Sequence, residues 1–411
     1  MHARAIRRNI ALFYANSFMV SFLLWGGIWL KYLIVDRGLE LRWILLMDLP
    51  FWLVVAALQA PTGALADHIG RKRVIALSGV LYSVTILGFG FTTNYWMLFA
   101  DYVLWGVAQA TQSGADQALL YDTMKHGKQE KRFQKVAGRG FALGLGAATV
   151  SLALGGWVAH LTSLAFVVQI SAIFPLIGAG IAMSMVEPPV ARQIERHYWR
   201  DMGDAFSFAW ATPQVRYTLL LGGLLMTATF GPVVLVQPFL LAFDTPDSLF
   251  SVLQVPLRLL AVGGSLAAFW VSARLGVPKL LLLACSTAIG AYFGLAFIDS
   301  PVAFAFFALP AVVQGLFNPA ISAHLNERIP SEKRATVLSL MPLIFALQVA
   351  FFEPLLGFFA DSLSLFWAFG FAGAYCLVLM PPVMILWRRA HGVLSKLELK
   401  PVAEPAATPG A

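Results

Sequence analysis

The chain is 411 residues long, 59% hydrophobic and only 12% charged, with a mean hydropathy of +0.75. A soluble globular domain carries about 25% charged and about 45–50% apolar residues, so the composition excludes that class and points to an all-α membrane protein. The formal net charge of +8 is spread over short segments between apolar runs, which gives no sign of a nucleic-acid-binding face.

A membrane-spanning helix needs about 20 mostly apolar residues. Such stretches are predicted at 9–30, 43–66, 74–93, 95–122, 137–160, 164–186, 216–243, 248–273, 279–299, 302–324, 335–360 and 364–387. The basic start, Met1 to Arg8, leads into an apolar run with no small-residue cleavage site, so it reads as helix one rather than as a removable leader. The polar stretch 187–215 divides the spans six and six. It separates an N-terminal bundle, 1–186, from a C-terminal bundle, 216–388, and an amphipathic surface helix is expected near Tyr198 to Trp210. The tail, 389–411, ends in a Pro- and Ala-rich run and is expected to be disordered. With the N-terminus in the cytoplasm, 25 of the 29 Lys and Arg residues fall on that side. Lys31, Arg37 and Arg42 fall outside and Arg258 lies within a span, a positive-inside bias that also puts the C-terminus in the cytoplasm. Cys285 and Cys376 stand alone in spans nine and twelve and read as small apolar residues. No metal or cofactor site is expected.

Between the second and third spans, Gly63-Ala64-Leu65-Ala66-Asp67-His68-Ile69-Gly70-Arg71-Lys72-Arg73 packs an acid, two glycines and three bases into eleven residues. A tight turn at a membrane surface uses glycine for close backbone approach and turns its bases to water. The segment resembles the signature loop between helices two and three of the major facilitator superfamily. The runs Ser113 to Asp122 and Asn326 to Thr336 are also similar to bacterial members, the second with Ser331 as a helix N-cap. The two halves echo each other, Arg274 to Lys279 following span eight as His68 to Lys72 follows span two. Arg139 and Arg334 each open the helix after a polar loop, and Gly156 and Gly357 stand near the outer ends of those helices.

The resemblance implies twelve transmembrane helices in two six-helix pseudo-repeat bundles, in a bacterial cytoplasmic (inner) membrane. It implies a monomer that transports a small molecule through the lipid bilayer, with protons as coupling ion. It further implies a gate built from Gly63, Asp67, Gly70, Arg71, Lys72, Asp122, Arg139 and Arg334. In that gate Asp67 faces the start of helix eleven near Ala335 and Thr336, and Arg71 pairs with Asp122. Three departures weaken the likeness to proton-coupled drug exporters. Tyr102 replaces an arginine of helix four, Ser151 to Gly156 keeps only the end of the helix-five antiporter motif, and Gln59 stands where relatives often carry glutamate.

An ionisable group deep in a bilayer costs about 2.5–3.5 kcal/mol on insertion scales, so each one needs an explanation. On span four, Asp101, Trp105, Gln109, Gln112 and Asp116 share an arc of about 80°. That stripe either lines a central cavity or bonds neighbouring helices. Gln254 and Arg258 share a face of span eight. Arg258 needs an anionic ligand or partner, with Glu353 favoured because the resemblance makes helices eight and eleven neighbours, and Asp48 and Asp101 as rivals. Asp48 and Glu353 lie about eight residues from the outer ends of their helices. A carboxylate dry in one access state and wet in the other can couple to protons. Gln314, Asn318 and Pro319, with Gln237, Pro238 and Gly231-Pro232, mark bends or ligand contacts. Tyr14, Asn16, Trp25, Trp29 and Phe351 could form cavity walls or face lipid. His160, His324 and His391 sit at helix ends as interfacial residues.

No phosphate-binding loop and no spaced His/Cys metal set is present, so the chain is not expected to be an enzyme. The first expectation is proton-coupled efflux of a small amphipathic organic compound. The alternatives are uptake of a specific, anionic metabolite or metal chelate, and a non-transporting lipid-handling or sensor role.

Overall fold

The computed structural model describes residues 3–112, 115–188, 198–330 and 333–398. Ser113, Gly114, Ser331 and Glu332 lie outside the described residues, as do Gly63 and the side chains of Gln59, Asp67 and Ala335. The described chain is almost wholly helical: α1 (Ala3–Ser21), α2 (Trp29–Lys31), α3 (Leu41–Ile69), α4 (Arg71–Phe91), α5 (Tyr95–Gln112), α6 (Ala115–His126), α7 (Phe133–Leu161), α8 (Leu164–Ser171), α9 (Ile173–Met183), α10 (Tyr198–Ala211), α11 (Pro213–Ala242), α12 (Asp247–Phe250), α13 (Val255–Leu275), α14 (Val277–Phe297), α15 (Ala308–Asn326), α16 (Arg334–Ser362) and α17 (Leu365–Glu398).

Among the described residues, eleven stretches are long and apolar enough to cross a membrane. The twelfth expected span, 95–122, is built by α5 and α6, whose polar positions lower its apolarity. Helices α1 to α9 pack on one another, as do α11 to α17, giving two six-helix bundles. The bundles meet where α3 lies along α16, where α2 touches α11, and where α7 meets α12 and α13. We call the end that carries Ala3 and the α3–α4 turn the basic end, and the opposite one the far end.

Glycine shapes both the repeat and the seam. Gly70, between α3 and α4, has φ +99°, and Gly276, between α13 and α14, has φ +72°. Side chains with a β-carbon rarely adopt that region, so both reversals are glycine turns, at the positions the sequence echo aligns. At the far end, a β-carbon on Gly357 would stand 2.6 Å from the Cα of Arg42, which is how close α16 comes to α3.

Four expectations change. Span one is interrupted: α1 ends at Ser21, a 3-10 turn covers Leu24–Gly27, and α2 follows. Gly26 and Gly27, each about 1 kcal/mol worse than alanine in a helix, favour the break. Helix α17 runs on to Glu398, so the first part of the expected tail is helical. Helix α16 starts at Arg334 with Lys333 before it and no side-chain cap. Arg139 lies well inside α7 rather than opening it.

Candidate functional site

The far half of the seam between the bundles holds a set of buried polar groups, Asp48, Glu353, Gln237, Ser251 and Gln254 among them. Asp48 and Trp52, one turn apart on α3, face α16. Trp52 donates its indole N–H to Glu353 Oε2 at 3.1 Å. Its ring lies between Phe345 of α16, at 5.2 Å between centroids, and Phe230 of α11, at 5.7 Å. Glu353 is only 1% exposed and Asp48 7%, and one oxygen of Asp48 has no hydrogen-bond partner. The charges of the two carboxylates act on each other and on the buried hydroxyl of Tyr102, which is also without a partner. Behind them Trp25, Phe51, Phe89, Tyr102 and Trp105 form an aromatic cluster, Phe51 and Trp105 at 5.0 Å between centroids. The indole N–H groups of Trp25 and Trp105 are buried and unpartnered.

The break in span one completes the seam. Gln237 of α11 accepts the backbone N–H groups of Leu30 at 3.1 Å and Lys31 at 3.3 Å, and donates to the Gly26 carbonyl. Gln254, just before α13, donates to the Gly27 carbonyl at 2.8 Å, and Ser251 also reaches that oxygen. Unwound backbone leaves carbonyls that need partners, and the second bundle supplies them. Lys31, expected in an outside loop, is buried with its ammonium 4.4 Å above the ring of Phe250. Farther out, Asp361 accepts the backbone N–H of Arg42 at 2.6 Å. Among the described residues, every hydrogen bond that joins the two bundles lies in this far half.

Arg258 does not pair with Glu353. Helices α13 and α16 are not packed together, and Glu353 is turned to α3 instead. Arg258 has no ion-pair or hydrogen-bond partner among the described residues. Its side chain is exposed on the surface of α13.

The stripe on span four divides among neighbours. Asp101 packs against Gly88 of α4, Gln109 accepts the hydroxyl of Tyr82 of α4, and Trp105 belongs to the aromatic cluster. Asp116 lines a separate small cavity, and Gln112 and Gln314 are half-buried. Phe351 lies with Leu347, Leu355, Phe371 and Tyr375 in an apolar groove of about 380 Å³ between α16 and α17, apart from the seam.

At the basic end, Arg71 forms an ion pair with Asp122 and donates to the Ala118 carbonyl at 2.7 Å. Glu187, after α9, accepts the backbone N–H of Arg71 at the start of α4. An acid at a helix N-terminus is favoured by the unpaired N–H groups there. Lys72 follows in the first turn, and Arg334 reaches the Ile329 carbonyl. His324, expected at an interface, is buried and joined to His391 at 2.8 Å between ring nitrogens, with Trp387 stacked beside.

Sequence reasoning missed Trp52 and Glu187. Trp52 carried a signal, its place one turn from Asp48 on the same face. Glu187 read only as the acid that opens a linker.

Residues 10–313 match the sequence model of the Major Facilitator Superfamily. A segment of 90 residues is 28% identical to an uncharacterized MFS-type transporter of Methanocaldococcus jannaschii. That match spans 22% of this chain and 23% of the relative, so the chain covers about a quarter of that protein's length. Among solved structures, the nucleoside transporter NupG superposes with a TM-score of 0.77 at 14% identity, over 93% of this chain and 99% of that one. A bacterial homologue of the human lysosomal transporter Spinster, inward-facing and occupied, gives 0.75 at 15% identity, over 97% and 99%. These likenesses establish the fold.

Proposed function

As the chain belongs to the Major Facilitator Superfamily, we propose that it is a secondary active transporter, working by alternating access and coupled to protons. The observation that carries this reading is the buried meeting of Asp48 and Glu353 across the seam. Like charges in a dry site repel, so closing the seam favours a proton on one of the two acids. Parting the bundles admits water to both and lets that proton leave. The aromatic walls around Trp52 suit an amphipathic organic cargo, and the signature-like loop supports export.

The positive-inside bias supports a cytoplasmic basic end in a bacterial inner membrane. With the bundles held at the far end, this conformation would open toward the cytoplasm. Gly63, Asp67, Gly70, Arg71 and Lys72, with Asp122, Arg139 and Arg334, would close that side in the opposite state. Asp67→Asn is then expected to slow turnover while leaving cargo binding intact.

Purified protein in liposomes, with a pH gradient imposed in either direction and a panel of organic compounds, tests the coupling. We expect gradient-driven flux in the wild type. Asp48→Asn and Glu353→Gln should lose that drive but keep exchange of labelled for unlabelled cargo. Gradient-driven flux undiminished in both variants would sink proton coupling through this pair. A second reading, uptake of an anionic metabolite or chelate, is favoured by Arg258. In that case Arg258→Gln weakens binding of anionic members of the panel and spares the neutral ones.

A further inference from the structure

We infer that the elbow between α10 and α11 binds the phosphate of an anionic phospholipid, with α10 lying in the leaflet at the basic end. Thr212 alone separates the two helices, and its extended backbone (φ −102°, ψ 100°) ends α10 just where the long apolar α11 begins. At 3.6 residues per turn, α10 presents three sides. Ala205 and Ala209, each 1% exposed, mark the side that packs on α11 and α16, and the Lys333 ammonium lies 5.3 Å from the ring centroid of Phe208. Asp204 and Ser207 form an exposed polar side. The third side carries Phe206 and Trp210, 52% and 47% exposed, stacked on each other at 5.3 Å between centroids.

Arg216, near the start of α11, stands beside that third side. Its guanidinium carbon lies 5.9 Å from the ring centroid of Trp210 and 4.6 Å from that of Tyr217. It donates to the Trp210 carbonyl at 3.1 Å and to the Tyr217 hydroxyl at 2.8 Å. Both anchors are neutral, and among the described residues no acid pairs with it. Arginine has five N–H donors and keeps its charge, so a planar fork that suits a phosphate is held in place with donors to spare. Exposed aromatic rings beside the end of a spanning helix belong at headgroup level, with apolar faces in the acyl boundary and polar faces in water. A free phosphate would answer Arg216 and leave the aromatic pair bare, whereas a phospholipid supplies the anion and the acyl boundary together. The elbow lies away from Asp48 and Glu353, so this inference stands apart from the proposed proton coupling.

Nitroxide labels on added single cysteines test the placement, since Cys285 and Cys376 are buried. In vesicles of equal parts phosphatidylglycerol and phosphatidylcholine, labels on Phe206→Cys and Trp210→Cys should meet dissolved oxygen more than a water-soluble nickel reagent. Labels on Asp204→Cys and Ser207→Cys should do the reverse. Aqueous labels at all four positions, the result expected of a helix held in water, would overturn the proposal. Labels at Phe206 and Trp210 shielded from both reagents, the result expected of a protein interface, would overturn it equally. Native mass spectrometry of the purified full chain offered both lipids tests the phosphate. Arg216→Gln should lower retention of phosphatidylglycerol about fivefold and spare phosphatidylcholine. Lys125→Gln, which removes an exposed base at the same end but on the other bundle, should change neither. Equal retention of the two lipids by the wild type, or a loss no greater in folded Arg216→Gln than in Lys125→Gln, would remove the phosphate site.

Discussion

Trp52 shows how one side chain can serve both packing and charge. Its ring fills the space between Phe230 and Phe345, and its indole N–H reaches Glu353. Trp52→Phe keeps most of the first role and loses the second. Hydrogen bonds to charged groups are worth about 1.5–3 kcal/mol, so we expect that much lost stability, read from thermal or denaturant unfolding in detergent. In a Glu353→Gln background the same change should cost less, because the charged acceptor is already gone. Equal losses in both backgrounds would show that the bond to the carboxylate contributes nothing. Asp48 and Glu353 were visible in the sequence as acids within apolar runs. Their meeting was not, because periodicity gives the face of a helix without naming the helix it faces. The resemblance makes helices eight and eleven neighbours and so favours Glu353 over Asp48 and Asp101 for Arg258, yet α13 and α16 do not pack together.

Helices α3, α4, α7, α11 and α14 fall close to their expected spans, since long apolar runs leave backbone polar groups no partner but the helix itself. The break in span one was hidden because its stabilising contacts come from residues more than 200 positions away. Gln237 takes the N–H groups of Leu30 and Lys31, and Gln254 takes the Gly27 carbonyl. Gly155 of α7 lets the Leu24 carbonyl of the broken segment lie directly against α7. Gln237→Leu is isosteric enough to pack but leaves two buried donors and the Gly26 carbonyl without that partner. An unsatisfied buried group costs about 1–3 kcal/mol, and we expect a loss of at least that size. Hydrogen exchange should show faster amide exchange confined to residues 24–31 and the facing turn of α11. Exchange unchanged at Leu30 and Lys31 would mean that Gln237 does not hold the break.

At the scale of the whole molecule, the two bundles are linked at one end. Every hydrogen bond between them among the described residues lies in the far half, from Trp52–Glu353 out to the bond from the Arg42 N–H to Asp361. A rocking motion that opened the far end would have to break this set together, and Gly357 sets how tightly it closes. A side chain at Gly357 would begin 2.6 Å from the Cα of Arg42, a backbone atom that cannot turn aside. Overpacking of this kind typically costs about 1–3 kcal/mol. Here the strain can be relieved by parting the bundles, so Gly357→Val should shift the population toward a far-open state rather than unfold the protein. Spin labels at the exposed positions Val35 and Leu363 report the far end, and labels at Lys125 and Glu327 report the basic end. The expected outcome is a longer distance for the first pair and a shorter one for the second, seen together in one sample. Lengthening at the far end without shortening at the basic end would indicate local distortion of α16. Both distributions unchanged in a folded Gly357→Val protein would mean that the close approach of α3 and α16 does not control which side is open.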